Sequence, residues 1–591
     1  MKSFIKIWKI LNNSHKIKSI LLLFFVIFNV LLELIGIGII IPIISLLVQD
    51  DFLQRYSLAQ NIFVFIGEPN KMELLLYAIS FIFVIFFLKF LYSVFFVWWQ
   101  QYFSTDIMIQ VSKRLYTKFL TQPYYLFLNR NSSEMLNILQ REVSNFHSTI
   151  LQSIALAAEM MVILSIIIML IVVEPIATMF AMLTVGIGAL LFNLLTRNYF
   201  LSWGKLRIFH SESVMKHTVQ GLNGIKDIKI LNQEKEFIDN FASHNDEYLK
   251  INRWNNTLQA LPRLWLEIVA VLSFVVLIFV FTLENRSIES ILPTLALIGV
   301  STFRILPSMN RVLNSYQAIL FQKPSVNVIY DELDNEYNIS QLKRIELNTI
   351  DQEVEIEISL KDISYNYPES LKPSLKNISF SVGSGESVGI IGKSGSGKST
   401  LTDIILGLLT PQNGKIFVYD KVSNKQIKNF KRMIGYVPQS IYLTDDTLMN
   451  NIAFGIPAAE IDEKVILEVI DTCQLTEFIK SLPKGLNTFV GDRGVRLSGG
   501  QRHRIGIARA LYRNPNILVL DEATSSVDSI TEKEIMSSID HLKEKRTLII
   551  ISHRLSTVYS CNKIIELHEG EIKNIVKGDN IQKFILERNN I

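Results

Sequence analysis

The sequence predicts a membrane domain of six α-helices fused to a soluble α/β domain. Three observations support this fold class. Long apolar runs are confined to the part of the 591-residue chain before residue 320. After about residue 352, short apolar strands alternate with helical segments, as in a packed α/β domain. A glycine-rich loop, GKSGSGKS at 392–399, lies between one such strand and a helix.

The composition agrees with a large membrane-embedded part. Hydrophobic residues make up 49% of the chain, and the mean hydropathy of +0.28 is high for a soluble protein. The net charge of +4 is too small to indicate a nucleic-acid-binding protein. The only cysteines, Cys473 and Cys561, lie in the soluble half and cannot form a disulfide framework, which fits a reducing cytosol.

Six apolar segments each reach the roughly 20 residues that are needed to cross about 30 Å of hydrocarbon. The first is too long for a signal peptide and is expected to stay in the membrane. We assign residues 1–323 to the membrane domain, 324–351 to a connector and 352–591 to the soluble domain. The six spans are predicted at about 19–48, 73–99, 151–173, 175–197, 264–284 and 288–310.

The distribution of basic residues predicts the orientation of the spans. Five lysines precede the first span, and the loop between the second and third spans is also rich in Lys and Arg. The loop between the first two spans carries only Arg55 and Lys71. Because basic loops remain on the cytosolic side, the N-terminus is predicted to be cytosolic, and six spans return the C-terminal domain to the cytosol.

The connecting loops predict further helices. The long polar segments 100–150 and 198–263 are interpreted as cytosolic extensions of the spans, joined by short cross-helices near Gln122–Asn129 and Leu222–Ile230. The outer segment 49–71 has apolar residues at roughly helical spacing. It fits either an amphipathic helix that lies on the non-cytosolic face of the membrane or an ordinary structured loop, and the sequence does not distinguish between the two.

The loop at 392–399 matches the G-x-x-x-x-G-K-S pattern of a phosphate-binding loop. Its glycines allow backbone N–H groups to surround phosphates, Lys398 reaches the β- and γ-phosphates, and the Ser399 hydroxyl is a ligand for Mg²⁺. The following helix adds its positive N-terminal end. The residues assigned to nucleotide binding here are Gly392, Lys393, Ser394, Gly395, Ser396, Gly397, Lys398, Ser399 and Thr400.

A second chemical motif is the stretch NILVLDEATSSVD. Its apolar residues, 517–520, predict a buried strand that ends in Asp521 and Glu522. Beside a phosphate loop, Asp521 is suited to hold Mg²⁺, and Glu522 is suited to polarise an attacking water as a general base. Without a phosphate loop, an Asp-Glu pair at a strand end would be interpreted as an ordinary surface pair. The presence of the phosphate loop favours the catalytic interpretation.

The stretch LSGGQ at 497–501, followed by the basic helix RHRIGIARALYRNP, resembles the signature of ATP-binding-cassette (ABC) ATPases. The resemblance implies that ATP lies between the phosphate loop of one subunit and the LSGGQ of its partner. It assigns four signature residues to ATP binding in the partner's site: Ser498, Gly499, Gly500 and Gln501.

Other family motifs follow in the family order. Tyr367 in SYNYP matches the aromatic residue that stacks on adenine, with Tyr365 as the alternative. Gln439 in GYVPQS matches the glutamine that contacts Mg²⁺, and His553 in IIISHRLS matches the histidine that contacts the γ-phosphate. The segment 525–528 matches the loop at the dimer interface, and VGDRG at 490–494 resembles an exporter-specific segment.

These resemblances imply a six-helix transmembrane domain of ABC exporter type fused to an α/β P-loop ABC ATPase domain. One set of motifs and six spans make half a transporter. We therefore expect a homodimer with two competent ATP sites, requiring ATP and Mg²⁺, in a bacterial inner membrane. Glu522, His553 and Gln439 are the expected catalytic residues, and Ser399, Gln439 and Asp521 the expected Mg²⁺ ligands.

A narrower resemblance concerns the cargo. The stretches ALPRLWLE (260–267) and 291–320 resemble the fifth and sixth spans of bacterial lipid-linked oligosaccharide flippases of the PglK type. The resemblance implies flipping of a polyprenyl-pyrophosphate-linked oligosaccharide. The alternatives are a general lipid or lipid A-type flippase, and a multidrug or peptide exporter, because the fold does not determine the cargo.

Three basic residues in or near the spans, Lys89, Arg304 and Arg311, are the candidate substrate contacts. Counted from the start of the sixth span, Arg304 lies about 22 Å and Arg311 about 33 Å into the membrane. Arginine forks suit a pyrophosphate. Arg311 could instead be a flanking positive charge. All three could also form structural ion pairs with acidic residues of the spans, namely Glu33, Glu159 and Glu267.

Overall fold

The computed structural model shows two compact units. The first comprises Met1–Gln122 and Asn129–Lys343, and the second comprises Pro123–Leu128 and Arg344–Ile591. The division after Lys343 falls inside the predicted connector. The structure describes residues 2–38, 71–173, 175–283, 288–334, 355–522 and 546–589, except residues 369, 371, 422, 424, 428, 429 and 579.

The described part of the first unit is helical, and several helices are much longer than a membrane is thick. A π-helical turn, Ile138–Glu142, precedes one of the long helices. The helices are α1 (Lys2–Ile10), α2 (Asn13–Gly38), α3 (Lys71–Thr121), α5 (Ser132–Asn137), α6 (Val143–Val173), α7 (Pro175–Asn223), α8 (Ile225–Leu231), α9 (Glu234–Leu283) and α10 (Ile288–Asp334). The remaining short helix, α4 (Tyr124–Leu128), groups with the second unit.

Among the described residues, four helices are long and apolar enough to cross a membrane. They correspond to the first, second, third and fifth predicted spans, whereas the predicted spans at 175–197 and 288–310 lie within α7 and α10. Helices α4 and α8 form where the sequence predicts cross-helices. The outer segment 49–71 lies, apart from its last residue, outside the described part of the chain.

Helices α7 and α10 approach each other closely in the first unit. A Cβ atom on Gly204 would lie 2.2 Å from the carbonyl oxygen of Phe321, so only glycine permits this packing. One turn further along α7, the buried Arg207 lies 3.4 Å from Glu142 of the π-helical turn and donates to Ser325 Oγ at 2.6 Å. The Arg207 side chain is 5% exposed and the Glu142 side chain 1%, so the two form a buried ion pair.

Replacing Glu142 by Ala should strongly destabilise this unit, because the change leaves the Arg207 charge buried with one neutral partner. Breaking a buried pair in this way typically costs about 3–5 kcal/mol. A lower midpoint in detergent-based thermal unfolding would show the effect. The exposed pair of Lys250 and Glu247, 2.7 Å apart, provides the control, and Glu247→Ala should leave the midpoint unchanged. Equal midpoints for the two variants would contradict a structural role for Glu142.

The described part of the second unit contains two β-sheets. The strands are β1 (Ile356–Tyr365), β2 (Leu375–Val382), β3 (Ser387–Gly392), β4 (Asn413–Asp420), β5 (Lys425–Gln426), β6 (Ile434–Val437), β7 (Ile517–Asp521), β8 (Thr547–Ile551), β9 (Lys563–His568) and β10 (Glu571–Lys577). An antiparallel sheet has the order β2-β1-β4-β5, and a six-stranded sheet has the order β10-β9-β3-β8-β7-β6. In the larger sheet, β9, β3, β8, β7 and β6 are parallel.

Helices cover the sheets of the second unit. Strands β7 and β8 are almost wholly apolar and buried, as expected of parallel strands with helices on both faces. The described α-helices are α4, α11 (Lys398–Ile405), α12 (Leu448–Ile452), α13 (Glu463–Thr472), α14 (Thr476–Ser481), α15 (Gly499–Tyr512), α16 (Leu555–Val558) and α17 (Asn580–Asn589). Tyr124 and Tyr125 of α4 pack on the apolar cluster that contains Leu401 and Ile404 of α11.

Candidate nucleotide site and membrane cations

The parallel strands bring the predicted catalytic residues to one edge of the large sheet. The phosphate loop follows β3, His553 follows β8, Glu522 follows β7 and Gln439 follows β6. These four strands are adjacent and point the same way. Because ligands of open α/β sheets bind beyond the carboxyl ends of the strands, this edge is the expected site.

The phosphate loop has a backbone that only glycine adopts readily. Gly397, just before α11, has a φ of +100°. A Cβ atom there would lie 2.6 Å from the carbonyl oxygen of Ser374. Gly395 also has a positive φ, +79°, but its added Cβ would meet no atom within 4 Å. The loop therefore packs closely on Ser374 at Gly397 and borders open space at Gly395.

This open space has the size and chemistry of a nucleotide site. The cavity measures about 980 Å³ and is lined by six phosphate-loop and helix residues together with Gln439, Glu522 and His553. Lys398 Nζ donates to the carbonyl oxygens of Gly392 and Lys393, at 2.8 and 3.0 Å. The buried Ser396 Oγ has no hydrogen-bond partner among the described residues. The Lys398 ammonium group, at the N-terminal end of α11, and the Ser399 and Thr400 hydroxyl groups that line the cavity fit a polyphosphate.

Glu522 lies between the two other predicted catalytic side chains. Gln439 Nε2 donates to Glu522 Oε2 at 2.7 Å, and His553 Nδ1 lies 3.4 Å from Glu522 Oε1. Glu522 also has a φ of +47°, an uncommon backbone for a residue with a side chain, of the kind found at active sites. The structure thus brings together the three residues that the sequence predicts for catalysis.

Asp521, at the end of β7, is more buried and has a different environment. Burial raises the pKa of its carboxyl group, while a hydrogen bond from the Tyr436 hydroxyl, at 3.3 Å, opposes that rise. Ser399 and Gln439, the other predicted Mg²⁺ ligands, line the cavity. Bound Mg²⁺ would neutralise phosphate charge, and these oxygen-bearing side chains fit the ligands that it prefers.

The two tyrosines considered for adenine stacking have different environments. Tyr365 is buried in β1, opposite Leu375. Tyr367 follows the strand, packs edge-on against Tyr365 with ring centres 5.1 Å apart, and places its hydroxyl 3.4 Å from Thr400 Oγ1. Tyr367 is therefore the more accessible of the two and lies next to the phosphate-loop helix.

The signature residues begin helix α15. Ser498 caps the helix: its Oγ accepts from the Gln501 N–H at 3.2 Å, and Gln501 Oε1 accepts from the Ser498 N–H at 2.8 Å. This reciprocal cap orders the helix start, where Gly499 and Gly500 lie. The predicted interface loop, 525–528, lies outside the described residues.

Two of the three candidate membrane cations form ion pairs within the chain. Lys89 Nζ lies 3.5 Å from Glu33 Oε1. Arg311 binds Glu159 through two nitrogens, at 2.5 and 3.1 Å, and its Nη2 also lies 3.4 Å from Ser308 Oγ. Arg304 lies in α10, but its side chain is outside the described part of the structure.

A fourth basic residue near the spans, Arg263, was not among the substrate contacts predicted from the sequence. Its Nε lies 3.2 Å from Glu267, one turn along α9, and 75% of the side chain is exposed. The pair lines a cavity of about 410 Å³ together with Leu266, Leu306, Pro307 and Asn310. The signal was present in ALPRLWLE, in which an arginine and a glutamate four residues apart stand at the edge of an apolar run.

Comparisons with known proteins agree with this architecture. Residues 17–306 match the model of the ABC transporter transmembrane region, and residues 375–525 match the ABC transporter model. A bacterial Atm1-family ABC exporter with ATP bound has a similar structure, with a TM-score of 0.76 over 98% of this chain and 97% of that one. The sequence identity is 18%, so this likeness concerns the fold alone.

Curated relatives carry one recurring name. The ATP-dependent lipid A-core flippase of Photobacterium profundum is 37% identical over 36% of this chain and 37% of its own length. The protein of the same name from Saccharophagus degradans is 29% identical over 79% of this chain and 78% of its own length. The first match thus spans little more than a third of the relative. Taken with the two family matches, the fold and the site geometry show that this chain belongs to the ABC transporters, with an exporter-type transmembrane domain fused to an ABC ATPase domain.

Proposed function

We propose that this chain is half of a homodimeric, ATP-driven exporter that flips a lipid with an anionic headgroup across a bacterial inner membrane. The observation that carries the proposal is the contact of Glu522 with both Gln439 and His553 at the edge of a nucleotide-sized cavity. A general base in that position suits ATP hydrolysis, and the attached membrane domain gives the hydrolysis a transport role.

The arrangement of the signature supports a homodimer. Ser498, Gly499, Gly500 and Gln501 are not among the residues that line the described cavity. They form an ordered helix start that is available to bind an anion elsewhere. In a symmetric dimer, each such helix start would complete the partner's site, so that one kind of chain supplies two ATP sites.

The relatives favour a lipid as cargo, because the name they share is lipid A-core flippase. Lipid A is a phosphorylated glycolipid. A polyprenyl-pyrophosphate-linked oligosaccharide is the second candidate, supported by the resemblance of the fifth and sixth spans. Both lipids combine hydrocarbon tails with phosphate groups and sugars, so both need a cationic site in the membrane domain.

Arg263 and Arg304 are the preferred headgroup contacts. Lys89 and Arg311 each have a glutamate partner, so cargo that used them would have to displace the carboxylate or bind beside it. In the described part of the chain, Arg263 pairs with Glu267 of its own helix; it is largely exposed and lines a cavity next to Pro307. Asn310 also lines that cavity, and its buried side-chain oxygen Oδ1 has no hydrogen-bond partner among the described residues, so a small side-chain rotation would allow it to accept a sugar hydroxyl.

Reconstituted liposomes test the cargo. The protein should flip a pyrophosphate-linked oligosaccharide or lipid A in an ATP-dependent way and faster than a zwitterionic phospholipid. Arg263→Gln and Arg304→Leu should each lower the rate for the anionic lipid about tenfold, since a hydrogen bond to a charged group is worth about 1.5–3 kcal/mol. The relative rates for the two anionic lipids would decide between the first and second candidates.

The matched control is Lys250→Gln on the same helix, α9. Lys250 is exposed and paired with Glu247, and it does not line the cavity. The variant should flip the anionic lipid at the normal rate. Equal rates for the anionic and zwitterionic lipids, unchanged by either arginine substitution, would contradict the proposal of an anion site.

A further inference from the structure

Three histidine side chains meet where α7 and α9 lie side by side, and none of them lines the nucleotide cavity or the cavity of Arg263. His210 and His217 are two turns apart on α7, and His244 is on α9. His210 Nδ1 lies 3.1 Å from His244 Nδ1. The rings of His217 and His244 are stacked, with centres 5.4 Å apart. His244 therefore contacts both histidines of α7.

The contact between the two Nδ1 atoms is a hydrogen bond only while one of them lacks a proton. A neutral imidazole has one N–H group and one bare nitrogen, so one ring donates and the other accepts. A first proton can bind to the outer nitrogen of the donating ring without breaking this bond. A second proton would convert the accepting nitrogen into a donor and place two positive rings side by side. The contact is therefore lost when both rings are charged.

The charged side chains of α7 and α9 near the cluster do not compensate for such a charge. Glu247 acts on His210 with its negative charge, but its carboxylate is bound by Lys250 at 2.7 Å. Lys216 acts on His217 with a positive charge. Two of these three side chains are cations, so additional protons on the histidines are unfavourable.

The π-helical turn that packs against α7 adds a further positive charge. Arg141 of this turn donates to Ser211 Oγ at 3.0 Å, and its guanidinium carbon lies 5.3 Å from the centre of the Tyr248 ring. Ser211 and Tyr248 are each within one turn of the histidine pair. The buried pair of Arg207 and Glu142, also within one turn, is neutral overall. The surroundings of the cluster thus favour neutral rings.

The direction of the pKa shifts agrees with these contacts. Burial and the charge of His244 lower the pKa of His210 and of His217 below the ordinary histidine value of 6.5, although Glu247 partly opposes this effect at His210. Rings that moved apart into water would bind protons with the ordinary pKa. The closed contact is therefore fully stable above the ordinary pKa and loses stability as the pH falls below it.

We propose that His210, His217 and His244 form a proton-sensitive contact that holds α7 against α9 near neutral pH and releases them on acidification, which slows transport. Helix α9 also carries Arg263, the proposed headgroup contact. Release of the histidine contact therefore loosens the helix on which cargo is held. The effect on transport rests on the proposed function, whereas the proton sensitivity of the contact does not.

Hydrogen exchange of the purified full-length protein tests the contact. If release takes up one proton, the amides of 207–220 and 240–250 should open about tenfold more often for each pH unit below the ordinary histidine pKa, after correction for the intrinsic exchange rate. Measurements at about pH 7.5 and about pH 5.5 lie on either side of that pKa. Equal corrected protection at the two pH values would overturn the inference.

His244→Asn separates the effect of the proton from the packing of the helices. The asparagine amide group takes the position of Nδ1, can still bond to His210 and binds no proton, so protection should be the same at both pH values. His210→Asn makes the matching change on α7, and the same result is expected. His568→Gln changes an exposed histidine at the end of β9 and should keep the wild-type pH dependence. Protection that still depends on pH in both asparagine variants would assign the effect to other groups and overturn the inference.

The pH profile of lipid-stimulated ATP hydrolysis tests the effect on transport. Dividing the His244→Asn rate by the wild-type rate removes the titration of groups that both proteins share, such as His553. This ratio should be close to one at about pH 7.5 and should rise at least about twofold near pH 6. A constant ratio would overturn the proposed regulation. A wild-type protein without ATP hydrolysis at neutral pH would contradict the proposed function, and hydrogen exchange would then decide on the contact.

Discussion

Replacing Glu522 by Gln should abolish ATP turnover while ATP binding persists. Glutamine preserves the size of the side chain, but its amide cannot accept a proton from the attacking water. Loss of a general base typically lowers a rate by 10²- to 10⁴-fold. The substitution removes the negative charge from the contacts with Gln439 and His553. ATP binding should persist, because the phosphate loop binds the nucleotide without Glu522. Phosphate release and binding of a fluorescent ATP analogue would measure the two properties separately.

The chain offers a close control in Glu569. It lines the same cavity, and its φ of +47° equals that of Glu522. It lacks the contacts with Gln439 and His553 that the structure shows for Glu522. Glu569→Gln should hydrolyse ATP within about twofold of the wild-type rate. Near-normal hydrolysis in Glu522→Gln would refute the assignment of the general base.

The second large effect is expected from Gly397→Ala in the phosphate loop. An alanine at a φ of +100° is strained by about 1–3 kcal/mol. Its Cβ would also lie 2.6 Å from the Ser374 carbonyl oxygen and 2.8 Å from the Leu375 side chain, so the loop must move. Because the loop amides surround the phosphates, ATP affinity should fall at least tenfold. Isothermal titration of the purified protein with ATP would measure the loss.

Gly395→Ala separates backbone strain from the steric contact. Gly395 also has a positive φ, +79°, but its Cβ would meet no atom within 4 Å. This variant should lose clearly less affinity than Gly397→Ala. If both variants bound ATP equally well, the close approach of Ser374 to the loop would have no part in nucleotide binding.

The parts of the site that the sequence predicted are those encoded by neighbouring residues. The strand, loop and helix around Lys398 follow from apolar runs and glycine spacing, and the strand before Asp521 follows from four apolar residues. The resemblance to ABC ATPases also assigned Gln439, Glu522 and His553 to one catalytic site. Their mutual contacts depend on the order β8-β7-β6 in the sheet, which the sequence alone did not predict.

The contacts that could not be predicted join residues far apart in the chain. Lys89 pairs with Glu33, and Arg311 with Glu159, through helix packing that single-sequence patterns do not encode. The sequence indicated Glu33, Glu159 and Glu267 as possible partners but did not assign them to particular cations. The hydrogen bond from the Tyr436 hydroxyl to Asp521 is another contact of this kind, since the two residues are 85 positions apart. That bond depends on the parallel register of β6 and β7, in which Tyr436 lies opposite Val519.

The position of Pro123–Leu128 in the ATPase unit affects how chimaeras of such a protein should be designed. The ATPase unit is discontinuous in the chain, since one of its pieces lies more than two hundred residues before the rest. A chimaera that exchanges only the residues after Arg344 would set Tyr124 and Tyr125 against a foreign surface. Exchange of the short loop together with the C-terminal domain would keep those two rings on the cluster with which they evolved. An exchangeable ATPase module of this chain therefore consists of two segments, Pro123–Leu128 and Arg344–Ile591.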